Sequence, residues 1–163
     1  DAQDGRSPVD RRHILSINGR SEIPKTKGIT VSGTFRYMSG APFTIFNSNI
    51  DADLNGELVD PSPAGTYSGI AQNALQDVEN EGGRFGATGP DYVQLDMRIG
   101  WRGRLGGSRT LELFFDVFNI TNRTNWDNPS GDERLAQTFL QLRSLRGGSG
   151  FPRQAVFGTR FVF

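Results

Sequence analysis

Residues 91–102 have the sequence DYVQLDMRIGWR, in which apolar and polar side chains alternate. Every second position from residue 93 onward is apolar, and these positions are Val93, Leu95, Met97, Ile99 and Trp101. The intervening positions include Gln94, Asp96 and Arg98, and the stretch ends with Arg102. Because successive side chains of a β-strand point to opposite faces, this pattern predicts a strand with one apolar face and one charged face.

Four further stretches show the same period of two, and they are residues 11–18, 28–38 with 47 as the alternative end, 109–120 and 153–163. In the last of them, Phe157, Phe161 and Phe163 fall on one face. The pattern in 109–120 is less regular, because Phe114 interrupts the polar face that begins at Glu112. Alternation of this kind indicates antiparallel strands with two differently solvated faces. The chain is therefore predicted to be all-β.

The connections between the predicted strands alternate in length. Residues 19–27 and 103–108 form short turns, whereas 48–90 and 121–152 are long and rich in Gly, Asn, Asp and Pro. Outer-membrane β-barrels show this asymmetry, with short periplasmic turns and long external loops. If Phe163 ends on the periplasmic side, both long connections fall outside and both short turns inside. The alternation of apolar and polar residues alone also fits a soluble antiparallel sheet. The alternation of short and long connections favours the barrel.

The predicted fold is therefore a set of antiparallel up-and-down strands of a transmembrane β-barrel. About five strands are present, with long external loops, and five cannot close a barrel, so the chain is expected to be a C-terminal fragment of one. The side chains predicted to face lipid are Val93, Leu95, Met97, Ile99, Trp101, Phe157 and Phe161. The charged residues of the opposite face are predicted to form cross-strand ion pairs in the lumen, and they are Asp96, Arg98, Arg102, Glu112, Asp116 and Arg160.

Composition excludes several functions. The 163 residues contain 18 Lys plus Arg and 18 Asp plus Glu, so there is no net field to attract nucleic acid. The chain has no Cys and one His, His13, which leaves no thiolate chemistry and no His pair for a metal. We expect no enzymatic activity. The chain starts at Asp1 without an export signal, so an outer-membrane location requires further sequence upstream.

The strongest local motif is residues 51–62, which begin Asp51-Ala52-Asp53-Leu54-Asn55-Gly56. Alternate oxygen side chains followed by a glycine that permits a sharp turn are typical of a calcium loop. The predicted ligands are Asp51, Asp53, Asn55, Glu57 and Asp60. The match weakens at the twelfth position, where Ser62 replaces the bidentate Glu of an EF-hand. A solvated Asp/Asn/Gly turn fits the same residues, so Ca²⁺ is one of two interpretations and no other cofactor is expected.

One segment of the second long connection has a different spacing. Leu135, Phe139, Leu142 and Leu145 recur at intervals of three and four residues. This spacing predicts a short helix. The segment from Phe139 to Leu145 also contains no strong strand breaker, so a strand extension is the alternative.

Several segments carry a family likeness, and they are Asp10–His13, Ser39–Phe43, Asp51–Pro61, Val117–Asn125 and Pro152–Phe163. In order and spacing they resemble the C-terminal end of TonB-dependent receptors, in particular the Oar-like kind that begin with a carboxypeptidase-regulatory-like domain. Together they cover almost the whole chain. The terminal Phe163, with Phe161 and Phe157 on the same face, is similar to the signal by which the barrel assembly machinery recognises outer-membrane proteins.

The resemblance implies that residues 1–163 are a single partial domain of a barrel of about 22 strands in the bacterial outer membrane. It implies uptake of a ligand with energy from the TonB system. The implied partners are outer-membrane lipid, the receptor's own plug domain, which is not in this sequence, the TonB system and the barrel assembly machinery. Two alternatives remain open, a passive or structural barrel of the porin kind and a soluble calcium-dependent β-sandwich binding module.

Overall fold

The computed structural model describes residues 5–147 and 150–163. Within these ranges every regular secondary-structure element is a β-strand. This part of the chain holds nine strands, which are β1 (Ile14–Glu22), β2 (Ile29–Met38), β3 (Pro42–Phe43), β4 (Gly65–Tyr67), β5 (Val78–Asn80), β6 (Ala87–Thr88), β7 (Tyr92–Gly106), β8 (Arg109–Phe118) and β9 (Gln154–Val162). None of the described residues form a helix long and apolar enough to cross a membrane. The predicted all-β class is confirmed.

The chain divides into two compact units. The strand unit comprises Ile14–Tyr37, Val93–Thr124 and Phe151–Phe163. The loop unit comprises Asp1–His13, Met38–Tyr92 and Asn125–Gly150, of which residues 1–4 and 148–149 lie outside the described residues.

The strand unit is a five-stranded sheet in the order β1-β2-β7-β8-β9. The strands β7 and β8 pair antiparallel, as do β8 and β9. The sheet is not closed, since β1 and β9 each have a neighbour in the sheet on one side only. The sheet therefore has the order and the open edges expected of a contiguous arc of an up-and-down barrel.

The strand boundaries differ from the prediction most in β1 and β7. The first strand begins at Ile14 rather than at residue 11 and continues to Glu22, so the first short turn is shorter than predicted. The seventh strand continues to Gly106, which leaves two residues before β8. Gly106 and Gly107 have φ of 106° and 58°, values that glycine adopts without steric cost, and they make this tight reversal possible.

Residues 11–13 are held outside the first strand by hydrogen bonds within the loop unit. Nη1 of Arg11 donates to the carbonyl of Ser39 at 2.5 Å. The backbone N–H of Ser39 donates to the carbonyl of His13 at 2.9 Å. The alternating pattern of residues 11–18 does not carry this information, so the predicted start was three residues early.

The loop unit contains a second sheet that the sequence did not predict. Its four strands have the order β3-β6-β5-β4 and are two or three residues long. A small core accompanies this sheet, made of Phe43, Ile45, Val78, Ala87, Phe139 and Leu140. The two long connections are therefore folded segments that share one core.

The helix predicted around Leu135 is wrong, and turns take its place. The N–H groups of Thr138 and Phe139 both donate to the carbonyl of Leu135 at 2.8 Å, and Leu140 then adopts φ of 56°. A positive φ at a leucine ends any helical path. The N–H of Leu140 donates instead to the carbonyl of Ser130 at 2.9 Å, so tertiary contacts outweigh the helical spacing.

Candidate functional site

The apolar face of the strand unit follows directly from the strand register. Across β7, β8 and β9, Ile99 lies opposite Phe115, which lies opposite Phe157. The neighbouring rows of this face are Met97–Val117–Ala155, Trp101–Leu113–Thr159 and Gly103–Leu111–Phe161. The described strands thus bring the predicted lipid-facing residues of β7 and β9 onto one face, together with the apolar residues of β8.

This apolar face is open rather than packed. Ile99, Phe157 and Phe161 are 50%, 68% and 51% exposed. A contiguous exposed apolar surface of this kind marks contact with an apolar partner, and a surface of alternating strand residues suits lipid. Lipid contact by these residues stays a prediction.

Aromatic rings stabilise the ends of the apolar face. The ring of Trp101 lies over Gly103, since a Cβ atom at residue 103 would come within 2.2 Å of Trp101 Cη2. An aromatic ring over a strand glycine covers exposed backbone and fixes the local pairing. At the end of the chain, the rings of Phe161 and Phe163 lie 5.9 Å apart. Phe163 is exposed and follows β9, and its role as an assembly signal stays a prediction.

The opposite face carries the predicted cross-strand ion pairs. Arg98 donates from Nε and Nη2 to the two carboxylate oxygens of Asp116 at 2.5 and 2.6 Å. Two rows further along this face, beyond the row of Phe114, Glu112 pairs with Arg102, and its Oε2 lies 4.0 Å from Nη1 of Arg160. These two rows cross β7, β8 and β9 in register. The prediction of ion pairs on this face is confirmed for these five residues.

Asp96 has a different role from the other charged residues of this face. Its Oδ1 accepts hydrogen bonds from Nε2 of Gln94 at 2.6 Å and from the N–H of Asn119 at 2.8 Å. Asn119 has φ of 50° and is the first residue after β8. Asp96 therefore fixes the point where β8 ends.

Phe114 explains the irregular pattern of residues 109–120. Its ring lies over Gly158 on β9, where a Cβ atom would come within 2.2 Å of Phe114 Cζ. On its other side the guanidinium of Arg98 stands 4.8 Å from the ring centroid, a distance typical of a cation–π contact. The aromatic residue on the charged face therefore supports the ion pair beside it. The glycine in the neighbouring strand is the sequence signal that could have indicated this packing.

The acidic loop in residues 51–60 belongs to the loop unit. Ligand oxygens of Asp51, Asp53 and Asp60 all lie within 4.8 Å of one another. Glu57 is exposed and is not part of this group among the described residues. The side chain of Asn55 donates to Oδ2 of Asp53 at 3.0 Å and accepts from the N–H of Glu57 at 2.7 Å. Of the five predicted ligands, the structure thus brings three carboxylates together, those of Asp51, Asp53 and Asp60.

Asp132 holds the two long connections together inside the loop unit. Its Oδ1 accepts from the N–H of Ser48 at 3.2 Å and its Oδ2 accepts from the Ser48 hydroxyl at 2.8 Å. The N–H of Arg134 also donates to Oδ1 at 3.1 Å. Burial opposes ionisation of Asp132, but the hydrogen bonds from Ser48 and Arg134 and the Arg134 charge outweigh it and lower the pKa of the carboxyl. Asp132 is thus a structural anion.

Tyr67 lies at the edge of the loop-unit core. Its ring packs edge-to-face on Phe139 with centroids 6.4 Å apart, and its hydroxyl donates to the carbonyl of Pro63 at 2.8 Å. Burial, followed by the negative charge of Glu133, raises the pKa of Tyr67. The phenol therefore stays protonated and serves as a hydrogen-bond donor.

An open antiparallel sheet with one exposed apolar face and one ion-paired face fits the class of membrane-spanning β-barrels. Comparison with protein families agrees, because residues 1–155 match the model described as "Outer membrane beta barrel domain". The chain belongs to this outer-membrane β-barrel family, and its place is the bacterial outer membrane. No curated protein showed significant similarity to the chain, and no solved structure did so.

Proposed function

We propose that the chain is part of the barrel of a TonB-dependent receptor, which imports a ligand across the outer membrane and performs no catalysis. The observation that carries the proposal is the ion-paired face of an open sheet, opposite an exposed apolar face. Five strands spaced about 4.8 Å apart span only an arc of a barrel. The remaining strands and the plug domain would come from sequence beyond these residues.

The charged side chains of the ion-paired face fit the interior of a wide barrel. The side chains of Arg98, Arg102 and Arg160 are 55%, 67% and 69% exposed although each approaches a carboxylate. In a barrel of about eight strands, side chains fill the interior, whereas the largest outer-membrane transporters enclose a plugged lumen. Half-exposed guanidinium groups suit contact with water and with a polar plug domain.

The loop unit supports a receptor rather than a simple pore. Along the chain, the segments of the loop unit precede β1, connect β2 to β7 and connect β8 to β9. These long connections share a core and a sheet. Loops held by a rigid scaffold are where binding residues concentrate, and the likeness to Oar-like receptors extends through this unit at Ser39–Phe43 and Asp51–Pro61.

The test uses the protein purified in detergent from the outer membrane, with all the sequence it naturally carries. Binding to the purified periplasmic domain of TonB is measured by surface plasmon resonance. We expect saturable binding that is lost when the short TonB-contacting segment near the N-terminus is deleted. Absence of binding would overturn the proposal.

A second measurement separates the receptor from a passive barrel. The same protein is inserted into planar bilayers and its conductance is recorded. A plugged receptor gives no steady open level, whereas a porin gives stable ohmic steps. Stable steps from the intact protein would favour the passive barrel and count against TonB-dependent uptake.

A further inference from the structure

The carboxylate of Asp60 is buried and only half satisfied. Asp60 is 5% exposed. Its Oδ2 accepts hydrogen bonds from the N–H groups of Ala52 and Asp53 at 2.6 and 3.2 Å. Its Oδ1 is buried and has no hydrogen-bond partner. An unpaired buried carboxylate oxygen carries a desolvation penalty, so such an atom in a native fold calls for a partner that the protein itself does not supply.

The surroundings of Asp60 favour a cation as that partner. The amides of Ala52 and Asp53 aim its carboxylate into the loop, and ligand oxygens of Asp51 and Asp53 lie within 4.8 Å of its own. Two oxygens bound to one Ca²⁺ are at most about 5 Å apart, because each lies about 2.3–2.6 Å from the ion. The spacing of the three carboxylates is therefore compatible with a single shared ion.

No ion pair among the described residues compensates the charge of the cluster. Among the described residues, Asp51, Asp53 and Asp60 form no ion pair with Lys or Arg. Three carboxylates in mutual proximity repel one another. A divalent cation removes that repulsion and completes the coordination of Oδ1 at the same time.

The backbone already holds the first part of the loop in a tight turn. Asp51 accepts from the N–H groups of Asn55 and Gly56 at 3.0 and 2.8 Å, and Leu54 and Gly56 have φ of 56° and 89°. A site with little left to organise loses less entropy when the ion binds. These contacts do not themselves indicate a ligand, but they explain why the aspartates are already close together.

We propose that Asp51, Asp53 and Asp60 bind one Ca²⁺ ion, with water completing the shell of six or more oxygens. Asp60 replaces the twelfth-position Glu of an EF-hand as the ligand that arrives from the far end of the loop. Its neighbour Ser62 donates its N–H to the carbonyl of Ile45 at 2.8 Å, so the ion ties the exposed residues 52–59 to the core of the loop unit. Three carboxylates of this kind predict a Kd of about 0.1–1 mM, typical of extracellular calcium modules.

The test is calorimetric titration of the detergent-solubilised protein with CaCl₂ after chelation. Asp53→Asn replaces one carboxylate of the cluster by a neutral amide at an exposed position, where the variant is expected to fold, and we expect its affinity for Ca²⁺ to fall at least tenfold. Glu57→Gln is the matched control, because it removes one charge from the same loop outside the cluster. We expect its Kd to change less than threefold.

Limited proteolysis of the loop accompanies the calorimetric titration. A glutamate-specific protease cuts after exposed residues such as Glu57, and we expect millimolar Ca²⁺, but not equal Mg²⁺, to slow this cut severalfold in the unaltered protein. Cleavage at another exposed glutamate of the loop unit, for example Glu81 after β5, serves as the internal control. The proposal is overturned if millimolar Ca²⁺ produces neither heat nor protection, if Mg²⁺ acts equally, or if Asp53→Asn and Glu57→Gln weaken binding alike.

Discussion

Arg98 on β7 and Asp116 on β8 face each other across the sheet and share two hydrogen bonds, at 2.5 and 2.6 Å. Two parallel N–H donors matched to one carboxylate form the strongest kind of charged hydrogen bond. The side chain of Asp116 is almost fully buried, whereas that of Arg98 is about half exposed. Because the ring of Phe114 lies against the guanidinium, the pair has one fixed geometry.

Asp116→Asn should therefore destabilise the strand unit. The substitution removes the charge that Arg98 contacts, and we expect the free energy of unfolding to fall by about 1–3 kcal/mol. The measurement is denaturant unfolding of the protein in lipid vesicles. Arg104→Gln is the control, since Arg104 lies on the same face of β7 but opposite Thr110, and its cost should stay below about 0.5 kcal/mol. Equal effects of the two substitutions would show that the pair contributes nothing specific.

Adjacent residues of β9 test which face meets lipid. Phe157 lies on the apolar face and Val156 on the ion-paired face opposite Asp116, and both side chains are exposed. An arginine facing the middle of the membrane costs about 2–4 kcal/mol. We expect Phe157→Arg to reduce folded protein in the outer-membrane fraction severely, whereas Val156→Arg should be tolerated because water and a carboxylate lie on its side. The reverse order would contradict the assignment of the two faces.

Much of the strand unit was predictable because its side chains follow a period of two. In β7 the pattern from Val93 to Trp101 separated the apolar from the charged face correctly, whereas the register with β8 and β9 came only from the structure. Phe114 was misleading for a physical reason, since its partners Gly158 and Arg98 belong to other strands. A pattern within one strand cannot show what lies across it.

The fold of the loop unit could not be predicted from the sequence, for a different reason. Its strands have two or three residues each, which is too short for any period to appear, and its core joins Phe43, Val78 and Phe139 from distant parts of the chain. The acidic motif at Asp51 and Asp53 was visible, because neighbouring residues form it. Asp60 was also among the predicted ligands, but the sequence did not show that Asp60 joins the acidic cluster and Glu57 does not, because that depends on how the loop returns to the core.

Phe139→Ala tests whether the loop unit depends on its core. Phe139 is buried against Tyr67, and its truncation should lower the local stability by about 3 kcal/mol through lost burial and a cavity. Hydrogen exchange of peptides covering residues 78–88 should accelerate. Leu135→Ala is the control, because Leu135 is exposed, and it should leave the exchange almost unchanged. If both variants exchanged alike, the core at Phe139 would not support this sheet.

Asp132 predicts an acid-sensitive connection within the loop unit. Its pKa is lowered in the fold, so the folded state favours the ionised carboxylate more than the unfolded chain does. The resulting stability is fully present above the unfolded pKa near 4 and is lost as the pH falls through the lower folded value. Hydrogen-exchange protection of peptides containing Ser48, corrected for the intrinsic pH dependence of exchange, should decrease below about pH 4.

Two variants separate this carboxylate from general acid unfolding. Asp132→Asn cannot ionise, so protection around Ser48 should be weaker at neutral pH and should no longer show this component of the acid dependence. Arg134→Gln removes the cation but keeps the backbone donor of residue 134 and both donors of Ser48. Its loss of protection at neutral pH should therefore be smaller than that of Asp132→Asn. An unchanged acid profile in Asp132→Asn would assign the sensitivity to other groups.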